Sequence, residues 1–102
     1  MKIAIASNKK EVDSQVSETG GRAAFFLIFE DGQLKKTIKN PFRVGGGGVG
    51  FSVAAMLADE KVEMIVSGHF GDNMASALEE KGIQYKVITD LTIEQVLAEQ
   101  NK

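Results

Sequence analysis

The sequence predicts an α/β fold on a mixed five-stranded sheet with helices on its faces. Three observations lead there. Short apolar runs at residues 3–6, 24–29 and 62–67 have the length and composition of strands buried on both faces. The first part of the chain carries only strand signals, whereas the second alternates helical and strand signals, in the order β-β-β-α-β-α-β-α. An Asp-Gly pair at residues 31–32 joins two of the strand-like runs as a tight hairpin. The first three strands therefore form an antiparallel meander, and the last two join it through helical crossovers, which are right-handed.

Residues 2–6 open the chain as an apolar strand, stopped by Ser7 and Asn8. Residues 7–22 follow with polar side chains, glycines and isolated valines. They read as a long loop without apolar anchors, which makes them and residues 43–50 the expected mobile parts. Ala24 to Phe29 is the strongest strand signal, and residues 33–39 return with lysines that suit a sheet edge. Asn40 and Pro41 end that strand, a glycine run follows, and a helix is expected from near Phe51, with Phe51, Ala54, Ala55, Leu57 and Ala58 on one face. Residues 62–67 form the fourth strand. Asp72 is the expected cap of a helix running to Lys81, with Met74, Ala77 and Leu78 inward and Gly82 as its left-handed stop. Residues 84–88 make the last strand, and Thr92-Ile93-Glu94-Gln95 matches a capping box for the final helix.

At 102 residues the chain is expected to form one domain over 1–102, with enough length for one core. Hydrophobic residues at 43% and charged ones at 25% fit a folded globular chain and argue against disorder. Twelve Lys and Arg against fourteen Asp and Glu leave a net charge of −2, so bulk charge does not draw it to nucleic acid. The absence of cysteine removes disulfides, thiolate-held zinc or iron–sulfur clusters and any cysteine nucleophile. The apolar N-terminal run is too short for a signal peptide, and no stretch is long enough for a bilayer. A cytoplasmic protein without membrane partners is the expectation.

If the crossover strands lie parallel to the first, the chemistry-bearing loops all emerge at one sheet edge, where open α/β sheets bind ligands. The glycine run contains G-x-G-x-x-G as Gly45, Gly47 and Gly50 just before a helix, and helix-start N–H groups suit an anion. The dinucleotide match is weak, since no acidic residue follows the next strand for a ribose, and a plain linker is the competing reading. His69, the sole histidine, follows a strand and precedes a helix start. It is a candidate ligand or proton-transfer group, with a simple strand-end role as the alternative. Asp13, Glu18, Asp72 and Asp90 could meet as a two-metal site, although solvated loop carboxylates are the simpler reading. No nucleophile elbow accompanies the serines.

Several segments together resemble the dinitrogenase iron–molybdenum cofactor biosynthesis family. They are Met1 to Ala6, Asp13 to Glu18 leading into Gly21-Arg22-Ala23, Asn40-Pro41 with the glycine run, Ala55-Met56-Leu57, Ser67-Gly68 and Thr92 to Gln95. The resemblance implies a three-layer α/β/α domain with a ribonuclease-H-like motif, and a carrier or chaperone of iron–sulfur–molybdenum clusters. The family pattern Ser-x-His-Phe-Gly-Arg-Ala departs here to Ser17-Glu18-Thr19-Gly20-Gly21-Arg22-Ala23. Thr19 thus stands where the family has a histidine that would ligate a cluster, while a His-Phe-Gly triplet recurs at 69–71 in another loop.

The resulting expectation is a non-enzymatic, nitrogen-fixation-related carrier for an anionic metal–sulfur cofactor or precursor, of the iron–molybdenum or iron–sulfur type. Arg22, Gly45, Gly46, Gly47, Gly48, Gly50 and His69 are its expected binding residues, and His69 its metal ligand. A cofactor-assembly protein is the implied partner. The alternatives are a phosphate- or nucleotide-binding domain built on the glycine loop, and a plain protein-interaction module.

Overall fold

The computed structural model describes residues 1–44 and 48–100. Its elements come in the expected order: β1 (Lys2–Ser7), β2 (Phe25–Glu30), β3 (Gln33–Lys39), α1 (Val49–Asp59), β4 (Met64–Ser67), α2 (Asp72–Glu80), β5 (Gln84–Val87) and α3 (Ile93–Gln100). One mixed sheet runs β3-β2-β1-β4-β5. β2 is antiparallel to β1 and β3, while β4 is parallel to both β1 and β5.

Alternation along the central strands explains the layering, since successive side chains point to opposite faces. Ala4, Ala6, Phe26 and Ile28 pack with Val53 and Leu57 of α1 and Leu78 of α2. Ile3, Ile5, Leu27 and Phe29 pack with Ile93 and Val96 of α3. The sheet is therefore the middle of three layers.

The hairpin turn is of the type I′ kind: Asp31 and Gly32 both have positive φ, 51° and 82°, between the paired residues Glu30 and Gln33. β3 is a sheet edge, and its lysines are exposed as expected. Gly82, at φ 71°, supplies the left-handed stop after α2.

Several boundaries differ from the sequence reading. Helix α1 begins at Val49 and buries Val53, Ala54 and Leu57, which leaves Phe51 48% exposed and Ala55 at the surface. The helix gains two residues at its start, and its buried stripe runs through Val53, Ala54 and Leu57 rather than through Phe51. Asp72 is the first residue of α2 rather than its cap, and Gly71 takes the cap position. β4 starts at Met64 because the Val62 N–H is still bonded to the Leu57 carbonyl at the end of α1. β5 ends at Val87, one residue early.

Residues 7–22 also need correction, because they do have an apolar anchor. Val16 is buried in the α3-side core, its N–H donates to the Leu91 carbonyl, and single bridges tie Ser7 to Val16 and Gln15 to Thr92.

The capping box forms as read. The Thr92 N–H donates to Gln95 Oε1 at 2.8 Å, and the Gln95 N–H donates to Thr92 Oγ1 at 3.2 Å. Thr92→Ala should cost about 1 kcal/mol in chemical denaturation. An unchanged midpoint would show that Ile93 and Val96 hold the helix without the cap.

Candidate functional site

The parallel strands β1, β4 and β5 send the chain out at one end, and two of the following segments are tied together there. Beyond β1, the Ser17 N–H donates to the Ala6 carbonyl at 2.8 Å. The Ser17 carbonyl accepts from the Gly68 N–H at 2.8 Å, and the Gly20 N–H donates to the His69 carbonyl at 2.9 Å. Glycine is required at 68 for this approach, since a Cβ there would lie 2.9 Å from Glu18 Cα.

Two buried serines shape these segments in the same way. Ser17 Oγ accepts from the Thr19 N–H at 3.2 Å, and Ser67 Oγ accepts from the His69 N–H at 3.1 Å. Ser67 Oγ also donates to the His69 carbonyl at 2.7 Å. The backbone of His69 is thus held at both its polar groups while the residue stays exposed. Phe70 turns inward and pairs with Tyr85 at a ring-centroid distance of 5.2 Å. The Tyr85 hydroxyl donates to Glu79, which raises its phenol above the ordinary value of 10.0.

These segments wall a cleft of about 430 Å³ together with the first turns of α1 and α2. Arg22, Gly50 and His69 line it, so three of the expected binding residues meet. Gly48 does not line the cleft. It caps α1 at φ 84°, one residue before the lining Val49. Gly45, Gly46 and Gly47 lie outside the described residues.

The electrostatics favour an anion. Both helices are capped by glycine, Gly48 and Gly71, which offers no side-chain acceptor to their leading N–H groups. Two helix starts with their partial positive charge therefore border one cleft. Arg22 adds a guanidinium, whose Nη1 donates to the Arg43 carbonyl at 3.3 Å. Asp72 is the opposing charge in the first turn of α2.

Arg22 is itself positioned by Asn40, which the sequence reading used as a strand end and gave no part in the site. Asn40 is 5% exposed, and its Nδ2 donates to the carbonyls of Gly21 and Ala23, on either side of Arg22, both at 2.9 Å. Its Oδ1 accepts from the Phe42 N–H at 2.9 Å. Asn-Pro at a strand end was the available signal, but it announces only a turn. Thr19, Gly20, Asn73 and Met74 also line the cleft and were not among the expected residues.

A second hollow of about 510 Å³ lies on the other side of His69, with Glu18, Thr89 and Asp90 in its wall. Asp72 belongs to the first cleft instead. Among the described residues, no three His, Asp or Glu side chains gather as a metal-holding group. No described helix is long and apolar enough to cross a membrane.

The fold recurs in solved structures. The apo orange protein from Desulfovibrio gigas superposes with a TM-score of 0.90 at 24% identity, over 97% of this chain and 85% of that one. A Thermotoga protein described as NifB-like and of the DUF35 family gives 0.81 at 23% identity, over 98% and 89%. At such identities the likeness establishes the fold. No curated protein sequence matches. The family model described as dinitrogenase iron-molybdenum cofactor, however, matches residues 1–102. By that match, the chain belongs to the dinitrogenase iron-molybdenum cofactor family.

Proposed function

We propose that this chain is a non-enzymatic carrier of an anionic metal–sulfur cofactor or precursor, of the iron–molybdenum or iron–sulfur type, held in the cleft between the starts of α1 and α2. The observation that carries the reading is the meeting of two glycine-capped helix starts with Arg22 and His69 around one cleft. A cluster brings its own sulfide ligands. Binding it asks for N–H donors, a cation and one side-chain ligand, not for a full coordination shell. Family membership supports the same cargo class.

In this reading Arg22 and the leading amides of both helices hold the cargo's negative charge. His69, on its fixed backbone, supplies the ring nitrogen that ligates the metal. Gly45, Gly46 and Gly47 precede the α1 start in sequence and are assigned to the same anion. A cofactor-assembly protein in the cytoplasm would load or receive the cargo.

The test is anaerobic titration of tetrathiomolybdate, molybdate and inorganic phosphate into the wild type, Arg22→Ala and His69→Ala. A charge-assisted hydrogen bond contributes about 1.5–3 kcal/mol, so Arg22→Ala should weaken thiomolybdate binding roughly tenfold to a hundredfold. His69→Ala should weaken thiomolybdate binding as well, and an unchanged affinity would remove the histidine from the site. Preference for phosphate over both molybdenum anions would favour a phosphate-ligand domain. Binding of none of the three would leave a protein-interaction module.

A further inference from the structure

We propose that Asp72 is a specificity-determining residue of this cleft, whose carboxylate offsets the arginine and selects cargo of low charge density over compact dianions. The inference rests on the carrier reading above and states which anions the cleft turns away.

Asp72 lines the cleft together with Arg22, and apart from His69 these are its charged side chains, one of each sign. A site built only to attract negative charge has no use for a carboxylate in its wall. Nor is this carboxylate engaged elsewhere. It makes no hydrogen bond or ion pair among the described residues, and Gly71 rather than Asp72 holds the cap position of α2. The side chain is exposed, yet its backbone is well placed, because Phe70 and Met74 are buried on either side of it.

Coulomb energy scales with the product of the charges, so a carboxylate repels a dianion twice as strongly as a monoanion of the same shape. Arg22 attracts in the same proportion, and the two formal charges oppose one another in the cleft. What remains for an anion is the partial charge and the leading N–H groups of the two helix starts. A compact dianion holds its water most strongly, and these weaker donors do not offset that loss. A large anion that spreads its charge over many sulfur atoms gives up less hydration, and a cleft of about 430 Å³ has room for it. An acidic residue in the first turn also suits the positive end of α2, but that effect concerns folding and does not depend on the charge of the cargo.

Molybdate and perrhenate separate the two roles, since both are tetrahedral oxyanions of nearly the same size, one a dianion and the other a monoanion. Isothermal titration at low ionic strength compares them on the wild type, Asp72→Asn and Asp72→Glu. Asp72→Asn should raise perrhenate affinity about threefold and molybdate affinity about tenfold, so that their ratio climbs about threefold. Molybdate binding that appears only in Asp72→Asn counts as that rise. Asp72→Glu keeps the charge and should leave the ratio within about twofold of wild type. Salt at about 0.5 M should shrink the effect of Asp72→Asn. A melting temperature that falls in Asp72→Asn while the ratio stays unchanged makes Asp72 a support of the helix start only, and overturns the inference. A molybdate affinity that falls in Asp72→Asn overturns it too. The carrier reading is judged apart from this: if thiomolybdate binding depends on Arg22 and His69 while the ratio does not move, only the inference falls. If none of these anions binds either the wild type or Asp72→Asn, both fall.

Discussion

Replacing Asn40 by alanine is expected to cost about 2–4 kcal/mol of folding stability and to weaken anion binding in the cleft at the same time. The side chain is buried and makes three hydrogen bonds of 2.9 Å, two of them to the carbonyls that flank Arg22. Truncation leaves those carbonyls and the Phe42 N–H to find water or go without, and each buried group left unpaired costs about 1–3 kcal/mol. Partial access to water keeps the total below the sum. Asn40→Asp is the sharper variant. It keeps the shape, but at neutral pH the carboxylate can only accept, so it faces two carbonyl oxygens. Relative to wild type, its stability should recover as acid protonates that carboxyl and restores one donor. Urea denaturation across pH, with anion titration of the folded fraction, checks both parts. A stable Asn40→Ala with unweakened binding would show that Arg22 is positioned by other contacts.

The second large effect is expected at Gly50. In the first turn of a helix, Gly→Ala ordinarily stabilises by up to about 1 kcal/mol, because it removes backbone freedom from the unfolded chain. Here the sign should reverse. An added Cβ would lie 2.8 Å from Met74 Cβ and 2.9 Å from the Met74 backbone nitrogen, so α1 and α2 could not keep their approach. Backbone of a packed helix does not yield as a side-chain tip does. Gly50→Ala should therefore lose about 1–3 kcal/mol net, and Gly50→Val more than about 3 kcal/mol, with a cleft widened at both helix starts. Thermal denaturation measures the loss, and at this chain length each kcal/mol corresponds to a shift of about 4–8 °C. A stabilised Gly50→Ala would mean that the helices can separate at no cost.

Both predictions concern residues whose roles are invisible along the chain. The strands, the hairpin and the capping box were legible because their causes are local. Apolar alternation places Ile3 and Ile5 against Ala4 and Ala6 on opposite faces. Asp31-Gly32 tolerates the positive φ that a tight hairpin demands, and Thr92 and Gln95 bond across one helical turn. Helix boundaries were less legible. Phe51 is apolar and helical but half exposed, since the buried stripe of α1 falls on Val53, Ala54 and Leu57. Residues 7–22 looked unanchored because one buried valine and backbone bonds to distant partners leave no periodic trace.

For the site, the sequence by itself determined the chemical inventory: no thiols, one histidine, few arginines and a concentration of glycine before a helix. The parallel pairing of β1 with β4 decided the rest, because it delivers Ser17 and Ser67 side by side and lets the Gly20 N–H reach the His69 carbonyl. It also brings Arg22 and His69, far apart in the chain, to one cleft between two helix starts. Met74 reads along the chain as one more core methionine at helical spacing. Only the close approach of Gly20, Gly21 and Gly50, from two other segments, packs it against the wall of that cleft. Local sequence specifies which groups exist and which face of an element they occupy. Which of them share a volume depends on long-range backbone contacts, and those have no local signature.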